Sequence, residues 1–314
     1  MGKNIVLCCD GTGQTFQENK SNPLRLHYCL KNDDKQVSFY DPGVGTFDPE
    51  GRDWSGGFFS DLSSSIAETL KGGGLGYGIV KNIQDGYRYL MQTFEDGDKV
   101  YIFGFSRGAF TAQAIAGLLH KCGLIYPHNE NLIPYTLEIY LTKGNDRIAK
   151  EYKETMCQTC NPQMLGVWDT VKSLGRNHQT DFFYENVPNG VACAYHALAI
   201  DEKREDFVPN IWDEGKASDG QNIEQVWFPG VHGDVGGGYP EDGLANVALK
   251  WMVANARKNG VHLQDERVSE FDPDPLGVIH ESYEGGWTLR GEEIREIAEG
   301  AKLHESVFER RNHK

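Results

Sequence analysis

A serine stands in a pentapeptide whose spacing is typical of nucleophilic catalysis. The segment reads Gly104-Phe105-Ser106-Arg107-Gly108. It follows an apolar stretch typical of a buried strand and precedes an alanine-rich stretch with helical spacing. In that context the G-x-S-x-G pattern predicts a nucleophile elbow, a turn so sharp that small residues flank the serine and its hydroxyl is exposed. The sequence therefore predicts Ser106 as a nucleophile. The plainer interpretation is a tight turn whose serine caps the helix.

A serine nucleophile needs a base, and the chain order expected around such an elbow is serine, acid, histidine. His232 lies in the glycine-rich run 229–239, directly after the last predicted strand. His196 falls inside a predicted strand, and the earlier histidines come at the wrong place in this order. His280 and His304 remain alternatives. The sequence favours His232 as the base.

Two aspartates compete for the role of the acid that orients the histidine. Asp169 ends one predicted strand, and Asp201 ends the next. Both would lie at the carboxyl edge of a parallel sheet, beside the elbow. Asp201 stands in the charged run Asp201-Glu202-Lys203-Arg204, where an ion-pair network is the more natural interpretation. Asp169 is therefore the favoured acid, with Asp201 as the alternative.

The oxyanion of an acyl-transfer intermediate needs two backbone N–H donors. One is expected from Arg107, the residue after the nucleophile, and one from a loop after an early strand. Gly11, directly after the first predicted strand, is the expected second donor because a glycine lets the backbone approach the substrate. Asp10 and Thr12 are candidates for positioning this loop or the substrate. A turn aspartate is an equally good interpretation of Asp10.

Other residues suggest metal chemistry, each with a plainer alternative. Cys8-Cys9-Asp10-Gly11-Thr12 is similar to a phosphatase loop, although a cysteine replaces that loop's first aspartate. Asp234 and the acidic loop 270–274 offer carboxylates, but solvated acidic loops are far commoner. Cys157 and Cys160 have C-x-x-C spacing without a second ligand pair, so reduced thiols are expected. We expect no metal and no cofactor. A metal-assisted hydrolase centred on Asp10 is retained as an alternative.

The elements that must position these residues alternate between strand and helix patterns, which predicts an α/β fold with a mostly parallel central sheet and helices on both faces. Helical spacing predicts helices over 79–94, from Ser106 to before Gly123, and from Leu244 to Gly260. No linker is evident, so a single domain over 1–314 is expected. Strands are predicted at Asn4–Cys9, Gln36–Asp41, Lys99–Phe105, Met164–Trp168, Val191–Ile200 and Glu224–Phe228.

Three long loop insertions are expected, near 44–78, 127–161 and 264–287. The first combines glycines with aromatic residues, as a lid that binds an acyl chain would. Its rings are Trp54, Phe58, Phe59 and Tyr77. A satellite core packed on the sheet is an equally good interpretation.

The composition excludes several classes of protein. The chain has 314 residues and a net charge of −15, with 39% hydrophobic residues. An acidic surface repels phosphates, so a nucleic-acid partner is not expected. No apolar stretch approaches the roughly 20 residues that span a bilayer, and no secretory signal is recognisable. A cytoplasmic protein is expected, with export by a specialised system left open.

Several blocks together resemble one known family. They are Cys9-Asp-Gly-Thr12, Gly104-Phe-Ser-Arg-Gly-Ala109, Gly166-Val-Trp-Asp-Thr-Val171, Ala199-Ile-Asp-Glu-Lys-Arg204 and Pro229-Gly-Val-His-Gly-Asp-Val-Gly-Gly-Gly-Tyr239. In this order they resemble the uncharacterised α/β-hydrolase family that includes the phospholipase effectors of bacterial type VI secretion.

This resemblance implies an α/β-hydrolase fold and a triad of Ser106, Asp169 and His232. It also implies a serine hydrolase whose substrates are carboxylic esters, including phospholipid or other lipid acyl esters. Brief contact with a membrane surface is compatible with such a substrate. A hydrolase-like binding protein without catalysis is the third alternative. The oligomeric state is left open.

Overall fold

A computed structural model describes residues 2–11, 20–43, 74–171 and 186–313 of the chain. Thr12 and three rings of the predicted lid, Trp54, Phe58 and Phe59, lie outside these ranges. The side chain of Tyr77 also lies outside the description. The lid therefore stays a prediction, as does the single domain over 1–314.

Within the described ranges, seven parallel strands form the central sheet, in the order β2-β1-β3-β6-β7-β8-β9. Two further short strands, β4 and β5, pair antiparallel beside it. The bounds are β1 Asn4–Cys9, β2 Gln36–Asp41, β3 Lys99–Phe105, β4 Leu124–Ile125, β5 Cys157–Gln158, β6 Pro162–Trp168, β7 Cys193–Ala199, β8 Asn222–Phe228 and β9 Lys302–Leu303. The predicted α/β fold with a mostly parallel central sheet is confirmed.

Helices cover both faces of this sheet because its central strands are apolar on both sides. In β1, Ile5 and Leu7 belong to one core cluster, while Val6 and Cys8 belong to the other. Such continuous apolar runs are typical of parallel strands buried on both faces. The helices are α1 Asn22–Cys29, α2 Gly74–Thr93, α3 Arg107–Cys122, α4 Ile133–Leu141, α5 Asp146–Met156, α6 His232–Gly236, α7 Gly243–Lys258, α8 Asp265–Ser269 and α9 Glu305–Asn312.

The two core clusters assign the main helices to faces. Helices α2, α3, α4 and α5 contribute buried residues to the first cluster. Helices α1 and α7 contribute to the second. All six strands predicted from the sequence are present, with ends shifted by at most two residues in β6, β7 and β8. No helix within the described ranges has the length and apolar composition needed to cross a bilayer.

The predicted insertion at 127–161 is largely helical, whereas the one at 264–287 is mostly irregular. Region 127–161 holds α4 and α5, with Ile133, Leu137 and Tyr140 buried in the first core cluster. These residues recur at spacings of four and three, which places them on one face of a helix. Region 264–287 holds only α8 and a 3-10 turn near Trp287. Its chain reaches the carboxyl edge of the sheet, where the candidate site lies.

Candidate active site

Ser106 occupies the turn between β3 and α3 in a strained backbone conformation. Its φ is 56° and its ψ is −121°, a combination that non-glycine residues rarely adopt. Its side chain makes no capping hydrogen bond to α3, which argues against the interpretation as a helix cap. Its N–H donates to the carbonyl of Trp168 at 3.1 Å, which ties the turn to the end of β6. The strained turn therefore leaves the Ser106 hydroxyl uninvolved in capping α3.

The two glycines of the pentapeptide allow the close packing that this turn requires. A Cβ on Gly104 would lie 2.4 Å from the carbonyl oxygen of Gly108. A Cβ on Gly108 would lie 2.2 Å from the carbonyl oxygen of Cys9, at the end of β1. Any side chain at either position would push α3 away from the sheet. The sequence pattern is therefore explained by backbone contacts.

Asp169 and His232 form a buried hydrogen-bonded pair. Nδ1 of His232 donates to Oδ2 of Asp169 at 2.6 Å, since the carboxylate can only accept. The second carboxylate oxygen accepts the N–H of Ala199 at 2.9 Å. Asp169 is completely buried and has a positive φ of 41°. With Nδ1 protonated in this way, Nε2 of His232 carries the lone pair of a general base.

Aromatic contacts hold the His232 ring beside the elbow. The ring lies 4.6 Å from that of Phe105, the residue that precedes Ser106. Phe207 meets the imidazole edge-on at 4.9 Å. Ser106 and His232 both lie in the described part of the chain, and no hydrogen bond joins the serine hydroxyl to the imidazole. In sites without substrate this bond is often long and tightens only in the complex.

Asp169 remains a carboxylate despite its burial. Burial alone would raise its pKa, but the charge of Arg295 and the hydrogen bonds from His232 and Arg295 together hold the pKa well below its usual value. A charged acid in this position can stabilise the imidazolium that forms when His232 takes a proton. Sequence reasoning missed Arg295, because no motif or spacing marks the loop that carries it.

Asp201 makes no hydrogen bond or ion pair with His232. Its carboxylate accepts the N–H of Gly230 at 2.6 Å and so fastens the loop that leads to the histidine. The ion pair expected in this charged run is formed by Glu202 and Arg204 at 2.8 Å. Glu202 also accepts the backbone N–H of His232 at 3.2 Å. The geometry therefore brings Asp169 to the histidine and leaves Asp201 with a supporting role.

The first loop differs from the prediction for the oxyanion donors. Gly11 lies against the elbow, since its Cβ position would be 3.6 Å from Cβ of Ser106. Its N–H, however, already donates to Oδ1 of Asp10 at 2.7 Å. A donor held by a neighbouring carboxylate is not free for an oxyanion, so the structure does not support Gly11 in that role. The N–H of Arg107 begins α3, and the first N–H groups of a helix have no partner within it.

Asp10 serves as an anchor for this loop. Oδ2 accepts hydrogen bonds from the hydroxyls of Ser21 and Tyr40, the latter at 2.7 Å. Burial raises the pKa of Asp10 to about 6, although these hydrogen bonds oppose the shift. Both carboxylate oxygens are therefore already engaged. The geometry favours positioning over the metal-centred role that the sequence left open.

The remaining candidates for metal chemistry are not assembled into a site. Among the described residues no group of three or more histidines, cysteines or acids could hold a metal ion. Asp234 instead accepts a hydrogen bond from Nδ1 of His280 at 2.5 Å. Cys157 and Cys160 are buried free thiols, and burial raises the pKa of each to about 12. Unreactive thiols fit this environment.

Comparisons with known proteins identify a family whose sequence model matches this chain. The model of the family "T6SS, Phospholipase effector Tle1-like, catalytic domain" matches residues 3–255. A yeast relative, "Uncharacterized protein YEL023C" of Saccharomyces cerevisiae, is 31% identical over 221 residues. That match covers 66% of this chain and 32% of the relative, so the chain spans about a third of the relative's length.

Three solved structures are similar at low identity. An uncharacterized protein from Pseudomonas aeruginosa is 21% identical with a TM-score of 0.49, over 87% of this chain and 49% of its own. The Tle1 effector bound to the VgrG spike of the type 6 secretion system is 17% identical, with a TM-score of 0.43 over 76% and 51%. The esterase Est2 of Thermogutta terrifontis, bound to butyrate, is 12% identical, with a TM-score of 0.39 over 82% and 84%. Because the family model matches most of the sequence, this chain belongs to the family of type VI secretion phospholipase effector Tle1-like catalytic domains.

Proposed function

We propose that this chain is a serine hydrolase that cleaves the carboxylic esters of phospholipids or other lipids. The observation that carries the proposal is the strained Ser106, whose hydroxyl does not cap α3, beside a buried His232–Asp169 pair. A protein that only binds its ligand has no need for such strain, which costs on the order of 1–3 kcal/mol. Membership in a phospholipase effector family supports the substrate class.

In the proposed reaction, Oγ of Ser106 attacks the ester carbonyl while Nε2 of His232 takes the hydroxyl proton. The carbonyl oxygen becomes an oxyanion that the N–H of Arg107 and the N-terminus of α3 stabilise. His232 then passes its proton to the leaving alkoxide, and the acyl group stays on Ser106. A water molecule, deprotonated by His232, releases the carboxylic acid and restores the serine. Asp169 keeps the imidazole in the required tautomer throughout.

Phospholipid hydrolysis tests the substrate class. Vesicles of phosphatidylethanolamine and phosphatidylglycerol are incubated with the purified chain, and the lipids are analysed by mass spectrometry. We expect free fatty acid and lysophospholipid in equal amounts, and neither product with Ser106→Ala. Hydrolysis of p-nitrophenyl butyrate without any lipid product would restrict the function to small esters. Failure to cleave any ester would contradict the proposal.

Chelation distinguishes the serine mechanism from the metal-assisted alternative at Asp10. A Ser–His–Asp mechanism uses no metal, so we expect 5 to 10 mM EDTA, a routine range, to leave esterase activity unchanged within about twofold. We also expect no hydrolysis of p-nitrophenyl phosphate when Mg²⁺ is added. Loss of turnover on chelation that Mg²⁺ restores would favour the metal-assisted alternative.

A further inference from the structure

The guanidinium of Arg295 forms a bidentate ion pair with Asp169, the candidate catalytic acid. Nη1 lies 2.6 Å from Oδ1 of Asp169, and Nη2 lies 2.9 Å from Oδ2. The side chains are 3% and 0% exposed, so water does not screen the pair. The same two nitrogens also donate to the carbonyls of Ala199 at 2.7 Å and Phe207 at 2.6 Å. Four hydrogen bonds thus fix both the guanidinium and the carboxylate.

Arg295 reaches the site from outside the region that defines the family. The family model ends at residue 255, forty residues earlier in the chain. Two contacts hold the loop around Arg295 against the residues that follow β7. The N–H of Glu293 donates to the carbonyl of Lys203 at 2.7 Å, and Ser282 donates to Glu202 at 2.8 Å. These two hydrogen bonds hold residues 282–295 against Glu202 and Lys203.

The ion pair with Arg295 stabilises the ionised form of Asp169. A carboxylate buried with only one neutral imidazole as side-chain partner would be costly to keep ionised. Arg295 supplies a permanent positive charge at hydrogen-bond distance, because its guanidinium does not lose its proton in proteins. Such a neighbour lowers the pKa of an aspartate by about one to three units. Asp169 can then act as an anion even under mildly acidic conditions.

Three other titratable groups adjoin the pair. His232 faces it from α6. His196 faces it from β7, where burial lowers its pKa to about 4, with Asp169 opposing and Arg295 adding to the shift. Glu202 accepts the His232 N–H; its burial raises the pKa, but Arg204 outweighs this and holds it at about 2. Between pH 5 and 8, a range above both of these pKa values, His196 stays neutral and Glu202 stays charged. Neither of these two groups therefore changes its charge within this range.

We propose that Arg295 is a positioning residue of this site, which orients the carboxylate of Asp169 toward His232 and keeps it ionised, so that the hydrolase works at lower pH than it otherwise would. This proposal rests on the proposed serine mechanism. Arg295 lies outside residues 3–255, which the family model matches, and would support the triad from there.

The pH dependence of kcat/KM for p-nitrophenyl butyrate tests the proposal. Removing the positive charge in Arg295→Gln raises the proton affinity of the coupled pair, so the acid limb of the profile moves to higher pH by about one to two units. We also expect kcat to fall by roughly tenfold or more, with KM little changed, because general-base catalysis depends on the orientation of the imidazole. Arg295→Lys keeps the positive charge but cannot form two parallel hydrogen bonds to the carboxylate. We therefore expect its acid limb to stay near that of the wild type while kcat is reduced.

Arg290→Gln is the matched control. Arg290 lies in the same loop, five residues earlier, and forms an exposed ion pair with Asp206 at 3.1 Å. We expect its pH profile and kcat to match the wild type. The melting temperature is measured for every variant, since a purely structural arginine would lower it without moving the acid limb.

Three results would overturn the proposal. The first is an Arg295→Gln profile with an unchanged acid limb. The second is a loss of kcat that only follows a loss of folded protein. The third is failure of both Arg295 variants to fold, which would make the residue structural. If the wild type itself reacts with no fluorophosphonate probe, the serine mechanism fails instead, and that outcome is distinct from these three.

Discussion

Ser106→Ala and His232→Ala are each expected to lower kcat for short p-nitrophenyl esters by roughly 10⁴- to 10⁶-fold. The first change removes the attacking oxygen, and the second removes the base that accepts its proton. Because both act in the same acylation step, the double variant should be little worse than either single variant. The measurement is kcat and KM at pH 8, with the folded fraction checked by circular dichroism.

Two exposed residues provide controls of the same type. Ser269→Ala removes a surface hydroxyl at the end of α8, and His262→Ala removes an exposed imidazole after α7. Both should keep activity within about twofold, as surface substitutions usually do. Near-normal activity in Ser106→Ala would show that another group is the nucleophile.

Asp169→Asn is expected to lower kcat by about 10⁴-fold, because an amide next to Nδ1 holds the imidazole in the wrong tautomer. The structure indicates that the same substitution also lowers the stability of the fold. The substitution leaves the buried guanidinium of Arg295 without its counter-charge, and breaking a buried pair costs about 3–5 kcal/mol. We therefore expect both slower turnover and a lower melting temperature. Activity is normalised to the folded fraction to separate the two effects.

Asp201→Asn is the matched comparison. The asparagine oxygen can still accept the N–H of Gly230, so the loop before His232 keeps its main hydrogen bond. We expect near-normal kcat and a small decrease in melting temperature. The reverse pattern, with Asp201→Asn inactive and Asp169→Asn active, would assign the acid to Asp201.

The parts of the fold and site that the sequence predicted are those set by local pattern. The strands β1, β2 and β3 have the predicted ends, because each is a short apolar run between clear breaks. The elbow was recognisable because its glycines meet backbone within a few residues of the serine or at the adjacent strand. Chain order allowed both Asp169 and Asp201 as the partner of His232, since parallel strands end at the same edge, and the charged run around Asp201 favoured Asp169.

The parts that the sequence did not predict depend on contacts between distant residues. Arg295 lies 126 positions from Asp169, in a loop with no periodic pattern. The hydrogen bond from the Gly11 N–H to Asp10 depends on a side-chain direction that residue types do not specify. The helices within 127–161 were missed because α4 is short and contains Pro134, and because α5 is mostly charged and polar. Their packing against the sheet decides their structure.

The most direct test of the serine mechanism is covalent labelling by a fluorophosphonate, followed by mass spectrometry of the digested protein. We predict one adduct per chain, on the peptide that contains Ser106, formed equally with and without EDTA. Labelling should be absent in Ser106→Ala and strongly slowed in His232→Ala, because the probe reacts with a serine that its histidine has activated. An unlabelled wild type, or an adduct that persists in Ser106→Ala, would contradict the account.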